Sequence, residues 1–168
     1  MKSIFVNPAN DENYSRIGPD AVFPALAPIS LATTMNEIGL EASAFDQQLQ
    51  SLESILAAIE IEKPDLVGIS VLSTNYTNAL KIAEAAKKVN AKVILGNDHA
   101  NQMARLIMEK RPEIDYIYAG DIGEYGMQAF AKAQQTGDLS QVPKLVWRDG
   151  STVIENRGTE IMSSTNRW

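Results

Sequence analysis

The chain has 168 residues, of which 45% are hydrophobic and 21% charged, as expected for one folded domain of ordinary size. Its 15 Lys and Arg against 21 Asp and Glu give a net charge of −6, which argues against nucleic-acid binding because phosphate contacts need a basic surface. With no cysteine, the chain cannot form disulfides, thiolate zinc sites or an iron–sulfur cluster of its own, and this composition fits a cytoplasmic protein. No apolar stretch is long enough to span a membrane.

Five short runs predict β-strands, because they are β-branched or aromatic and each is closed by Gly, Asn, Asp or Ser; the second of them only alternates weakly. In chain order they cover residues 4–6, 41–45, 65–71, 92–95 and 115–118. Amphipathic stretches that predict helices follow each run, around residues 31–38, 52–59, 79–86, 103–107 and 125–131. This alternation predicts an α/β fold: a flavodoxin-like (Rossmann-like) parallel sheet of five strands in the order 2-1-3-4-5, with helices on both faces.

The end of the chain has a different pattern. Two β-prone runs on either side of Asp149 and Gly150 predict a β-hairpin over residues 144–156, because Asp-Gly favours a tight two-residue turn. We therefore expect one domain over residues 1–157. Residues 158–168 have no pattern and are expected to be a tail or a linker to an absent domain.

A ligand site is expected at the carboxyl ends of the parallel strands, where open α/β sheets bind their ligands. Four loops would meet there, covering residues 7–27, 70–76, 96–99 and 120–124. The first is long for a compact domain, which is typical of a functional loop. Hydroxyl, amide and glycine residues in all four suit a large polar ligand.

The second and third loops resemble those of cobalamin (vitamin B12)-binding domains. Ser70 and Leu72 resemble their Ser-x-Leu segment, and the run from Gly96 to His99 resembles the Gly-Gly-x-His segment of the N-terminal domains of cobalamin-dependent radical S-adenosylmethionine (SAM) enzymes. Asn97 stands where that segment has its second glycine.

The fourth loop resembles the Gly-Glu-Gly-Glu segment of the same subfamily, with one extra residue, Ile122. The resemblance covers residues 1–157 and implies that the nucleotide tail of cobalamin lies between sheet and helices. It implies that Ser70 hydrogen-bonds the tail, that Leu72 packs under the corrin, and that Gly96 lets the backbone approach the tail. The implied cobalamin contacts are Asn7, Pro8, Ser70, Leu72, Ser73, Thr74, Asn75, Tyr76, Gly96, Asn97, Asp98, His99, Gly120, Asp121, Gly123 and Glu124.

The methionine synthase branch of these domains has a cobalt-coordinating His in the first loop, and residues 7–27 contain none. The resemblance therefore implies base-off cobalamin without a protein His ligand, and no metal-ligating or catalytic residue in this chain. It further implies a radical SAM catalytic domain that carries the [4Fe-4S] cluster and S-adenosylmethionine for methyl transfer. That partner would be part of the same parent chain or a separate protein.

Other interpretations of the same residues stay open. The fold also suits a flavodoxin-like binding or signalling module without cobalamin, or a domain that kept the fold and lost the cofactor. Ser70 and Leu72 could simply end a core strand, and Asp98 could cap an ordinary strand-to-helix turn.

Overall fold

The structure, a computed structural model, describes residues 1–11 and 24–158. Within these residues, seven strands form one sheet in the order β2-β1-β3-β4-β5-β6-β7. The strands are β1 (Lys2–Asn7), β2 (Glu41–Asp46), β3 (Leu66–Ser70), β4 (Lys92–Gly96), β5 (Tyr116–Tyr118), β6 (Leu145–Asp149) and β7 (Thr152–Glu155). The helices are α1 (Leu26–Glu37), α2 (Leu52–Glu62), α3 (Tyr76–Lys88), α4 (Asp98–Gln102), α5 (Ala104–Lys110) and α6 (Gly123–Thr136), followed by a short 3-10 turn at Leu139–Gln141.

The first five strands are parallel, which confirms the predicted fold class and strand order. The predicted hairpin also forms, and its two strands extend the sheet. β6 pairs antiparallel with β5, and β7 pairs antiparallel with β6. Pairing β6 with β5 satisfies backbone groups that would otherwise lie unpaired on an exposed edge, so the sheet has seven strands instead of five.

Two apolar layers cover the sheet. One face packs against α2, α3, α4 and α5, which contribute side chains such as Ile55, Ile82 and Ile107. The other face packs against α1 and α6, with Met35 and Phe130 at its centre. This second layer is called the α1/α6 face below. Strands buried on both sides explain the nearly continuous apolar runs of the sequence.

The predicted fourth helix is divided into α4 and α5. The break falls at Met103, whose backbone leaves the helical region at φ −107° and ψ 12°. The end of α5 is tied to the hairpin by Arg148, whose guanidinium donates to the carbonyl oxygens of Met108, of Arg111 (2.8 Å) and of Ile114 (3.2 Å). The Met108 carbonyl has no helical partner, because the residue four positions later is Pro112, which has no N–H. Arg148 supplies a donor there and so ties β6 to the end of α5. Among the described residues, no helix has the length and apolar character needed to cross a membrane.

Candidate functional site

A cleft of about 330 Å³ opens at the carboxyl ends of the strands, on the α1/α6 face. This volume lies in the range of small-molecule sites. Its walls come from β1, β3, β4 and β5, from α1, α4 and α6, and from the loops after β4 and β5. The lining residues are Phe5, Val6, Ala27, Pro28, Leu31, Gly68, Ile69, Ser70, Ile94, Leu95, Gly96, Asn97, Asp98, Asn101, Tyr118, Gly120, Asp121, Gly123, Glu124 and Met127.

The strand side of the cleft consists of two rows of residues. Ser70 and Gly96 are paired in register at the carboxyl edge and form the outer row. Phe5, Gly68 and Ile94 are also paired in register, two residues further in, and form the inner row. Side chains two residues apart share one face of a sheet and lie about 7 Å apart along the strand. The outer row is thus polar or bare backbone, whereas the inner row is apolar.

The helix side of the cleft also changes from polar residues at the mouth to apolar residues deeper inside. Both α1 and α6 begin at the carboxyl edge, because each follows a parallel strand and runs back along the sheet. Their first turns place Pro28 and Glu124 at the mouth, and the next turns place Leu31 and Met127 deeper. The cleft is therefore polar outside and apolar inside.

Gly96 leaves the outer row open. A Cβ atom added there would meet only the carbonyl oxygen of Tyr118, at 3.9 Å. Outside the adjacent residues Leu95 and Asn97, no other described atom lies within 4 Å of that point. The missing side chain therefore leaves open space in the cleft mouth, as needed for a ligand to approach the backbone.

Gly68 and Gly126 instead make room for aromatic rings of the cleft wall. A Cβ at Gly68 would lie 2.5 Å from the ring of Phe5, and a Cβ at Gly126 would lie 2.2 Å from the ring of Tyr118. Real Cβ atoms do not approach this closely, so these glycines fix where the two rings lie. The sequence alone did not identify Phe5, Leu31, Gly68, Ile94, Tyr118 or Met127 as site residues. In the sequence these residues stand only at strand or helix positions of the kind that face the core. Nothing distinguishes them from residues that simply fill the core.

Asn97 has a backbone conformation that favours glycine. Its φ is +78° and its ψ is 174°, a region that side chains rarely enter. Two hydrogen bonds of the side chain offset part of this backbone strain. Oδ1 accepts from the Asp98 backbone N–H at 2.7 Å, and Nδ2 donates to Ser70 Oγ at 3.0 Å. Asn97, and not Asp98, thus caps α4. The backbone explains why the resembling segment has glycine here.

We expect Asn97→Gly to keep the stability of the protein within about 1 kcal/mol of the parent. Relief of backbone strain is worth about 1–3 kcal/mol, against about 1 kcal/mol each for the lost hydrogen bonding and the added freedom of the unfolded chain. Asn97→Ala should destabilise the protein, since alanine keeps the strain and loses both bonds. Urea unfolding of the two variants measures the difference, and an Ala variant more stable than the Gly variant would contradict it.

The predicted residues in the loop after β3 lie outside the cleft lining. Asn75 is 2% exposed, accepts from the Leu72 backbone N–H at 2.8 Å, and donates to the carbonyls of Pro8 (3.2 Å) and Ser70 (3.3 Å). Its amide thus joins the loops after β1 and β3. Thr74 donates to Asn10 Oδ1 at 2.7 Å in the same junction. Asn75 and Thr74 therefore shape these loops.

His99 also lies outside the cleft lining. Its Nδ1 lies 3.0 Å from Ser73 Oγ, and its ring centroid lies 4.9 Å from that of Tyr76. These three residues connect α4 to the loop after β3. Leu72 lies beside them and is 37% exposed, so an apolar side chain faces solvent at the carboxyl edge.

The first loop is anchored at both ends of its described part. Asn7 donates to Asp46 Oδ1 at 3.0 Å, and the Ala25 N–H donates to Asp46 Oδ2 at 2.8 Å. The Asp11 N–H donates to the carbonyl of Thr74 at 2.7 Å. Neither Asn7 nor Pro8 lines the cleft. The rest of the predicted loop, residues 12–23, lies outside the described residues, as do residues 159–168 of the predicted tail.

The loop after β5 meets the cleft as expected. Gly120, Asp121, Gly123 and Glu124 all line it, together with Gly96, Asn97 and Asp98 at the junction of β4 and α4. Glu124 accepts a hydrogen bond from the Ser30 hydroxyl, which ties α6 to α1 across the mouth. The described residues contain no cluster of three or more His, Cys, Asp or Glu that could hold a metal ion.

Comparison with known proteins assigns the domain. The sequence model of one family, described as B12 binding domain, matches residues 22–131. The chain is similar in structure to OxsB, a cobalamin-dependent S-adenosylmethionine radical enzyme solved with aqua-cobalamin and S-adenosylmethionine bound. The TM-score is 0.76 at 18% identity, over 95% of this chain and 22% of OxsB.

A second similar structure is the radical S-adenosylmethionine methyltransferase TsrM from Kitasatospora setae with cobalamin and a [4Fe-4S] cluster bound. Its TM-score is 0.71 at 18% identity, over 99% of this chain and 31% of TsrM. The chain thus spans less than a third of either enzyme's length. No curated protein matches the sequence. Because the family match covers most of the parallel sheet and the fold follows that of both enzymes, this chain belongs to the B12-binding domain family.

Proposed function

We propose that this domain binds cobalamin base-off, with its nucleotide tail in the cleft, and presents the corrin to a radical SAM catalytic domain for methyl transfer. The observation that carries the proposal is the cleft itself. It lies at the carboxyl edge, its mouth is open at Gly96, and its inner walls are apolar and aromatic. A heteroaromatic ring such as dimethylbenzimidazole suits such walls, because aromatic rings pack well against one another and against aliphatic groups.

Residues at the mouth would hold the polar parts of the tail. Ser70 Oγ already accepts from Asn97 Nδ2, so its own proton remains to be donated to an acceptor on the ligand. The amide of Asn97 and the carboxylate of Glu124 line the same mouth. The corrin-facing rim would be formed by Leu72, Ser73, Thr74, Tyr76 and His99 together with Asn7. The buried Asn75 and Pro8 would hold the loops of this rim in place. Bound cobalamin would supply the methyl-transfer chemistry, which none of these side chains provides.

The placement of histidine supports binding without a protein ligand to cobalt. His99 is the single histidine of the sequence. Its Nδ1 lies 3.0 Å from Ser73, and it does not line the cleft. The domain would therefore leave the lower face of cobalt without an imidazole from this chain.

A catalytic partner is required because the chain has no cysteine and cannot hold a [4Fe-4S] cluster through thiolates. The two similar enzymes are more than three times as long as the matched region. We therefore propose that a radical SAM domain, in the same parent chain or in a separate protein, holds the cluster and S-adenosylmethionine.

Mixing the purified chain with hydroxocobalamin, followed by desalting and a visible spectrum, tests the proposal. We expect pigment to elute with the protein and to show the spectrum of cobalamin whose tail base has left cobalt. A colourless protein fraction would contradict the proposal and favour the flavodoxin-like module without cobalamin. Retained pigment with a base-on spectrum would contradict the base-off mode alone.

A further inference from the structure

We infer that the cleft selects corrinoids by the base at the end of the nucleotide tail, accepting an apolar benzimidazole and discriminating against a purine such as adenine. This inference rests on the proposed function and goes beyond it, because it names which member of the corrinoid class the site takes. It follows from the chemistry of the inner end of the cleft.

Apart from the Tyr118 phenol, the described side chains at the inner end are apolar. On the strand side it is bounded by Phe5, Gly68 and Ile94, and on the helix side by Leu31 and Met127. All the polar lining side chains that the structure describes, apart from the Tyr118 hydroxyl, belong to the outer row or to the loops and first helical turns at the mouth. The ring of Tyr118 itself lies against Gly126 of α6.

The backbone N–H and C=O groups at the inner end of the cleft already have hydrogen-bond partners within the sheet and the helices. Phe5, Gly68 and Ile94 lie inside paired parallel strands, where N–H and C=O groups bond to neighbouring strands. Leu31 and Met127 lie inside α1 and α6, where carbonyls bond along the helix. A ligand group that reaches this depth therefore finds apolar contacts and few hydrogen-bond partners.

The two bases differ on the ring that lies away from the sugar. Dimethylbenzimidazole has two methyl groups on its six-membered ring, which would bury favourably against apolar walls. Adenine has an amino group and two ring nitrogens there, and each loses hydrogen bonds to water without replacement. One or two such unpaired groups correspond to adenine-tailed corrinoid binding about 10- to 100-fold more weakly.

Spectral titration of the purified chain with three corrinoids tests the inference. The probes are hydroxocobalamin, the corresponding corrinoid with an adenine base, and cobinamide, which has no nucleotide base. We expect cobalamin to bind about 10-fold or more tighter than the adenine form. Equal dissociation constants for these two would overturn the inference and leave cobalamin binding intact. Cobinamide binding as tightly as cobalamin would overturn it as well, since the base would then contribute nothing.

A polar group placed at the inner end should weaken the selection. Met127→Gln keeps a similar side-chain length and adds an amide donor and acceptor, so the ratio of dissociation constants should fall several-fold. Met103→Gln is the matched control, because Met103 is 37% exposed and does not line the cleft. An unchanged ratio in a folded Met127→Gln protein would count against the inference. If no corrinoid binds the parent chain, the proposed function itself fails.

Discussion

Gly96→Leu is expected to abolish cobalamin retention while the domain stays folded. A Cβ at Gly96 meets only the Tyr118 carbonyl oxygen, at 3.9 Å, and the larger side chain would extend into the mouth of the cleft. Gly96 is the last residue of β4, where leucine is tolerated without a left-handed backbone. Exclusion of an aromatic ring from an apolar site corresponds to about a 100-fold or greater loss of affinity.

The measurement is a hydroxocobalamin titration of parent and variant, with far-ultraviolet circular dichroism to confirm folding. Thr152→Leu is the matched control, because it adds the same side chain at an exposed strand position remote from the cleft. A folded Gly96→Leu protein that still retains pigment would show that the tail does not enter here.

Gly126→Ala is expected to destabilise the domain, although the same change inside most helices stabilises it by about 1 kcal/mol. The added Cβ would lie 2.2–2.5 Å from three atoms of the Tyr118 ring. Both residues are buried, so the ring can relieve the contact only by moving toward the cleft or by shifting α6. Such overpacking costs about 1–3 kcal/mol, which outweighs the helix propensity of alanine. Cobalamin affinity should fall together with stability.

A double-mutant cycle separates this contact from a general effect on the helix. In a Tyr118→Ala background the ring is absent, so Gly126→Ala should become neutral or stabilising in urea unfolding. Lys132→Ala is the control for helix propensity, because Lys132 is exposed on the same helix. Equal destabilisation by Gly126→Ala in both backgrounds would rule out the Tyr118 contact as the cause.

The sequence was most informative about the strands and the edge where the site lies. Short runs ending in Gly, Asn, Asp or Ser located β1 to β5. The most continuous apolar runs belong to strands buried on both faces, such as β3. The order 2-1-3-4-5 was confirmed, since right-handed crossovers leave few alternatives. Ser70 and Gly96 were predicted together from separate loops, and the register pairs them.

Which predicted residues actually line the cleft could not be derived from loops alone. Ser70, at the end of β3, lines the cleft, whereas Asn75, only five residues later, is buried between the loops after β1 and β3. The direction of each side chain depends on pairing between loops distant in sequence. The residues of a single loop do not indicate which distant loop it will pair with.

The amino-acid sequence by itself determined the alternation of strands and helices, the edge of the sheet at which the cleft opens, and the absence of thiolate ligands. Only the tertiary structure decided that Gly68 and Gly126 accommodate rings whereas Gly96 leaves open space. The physical reason is that a glycine's function depends on what occupies the volume beside its Cα. That volume is set by Phe5 and Tyr118, which approach only when sheet and helices pack.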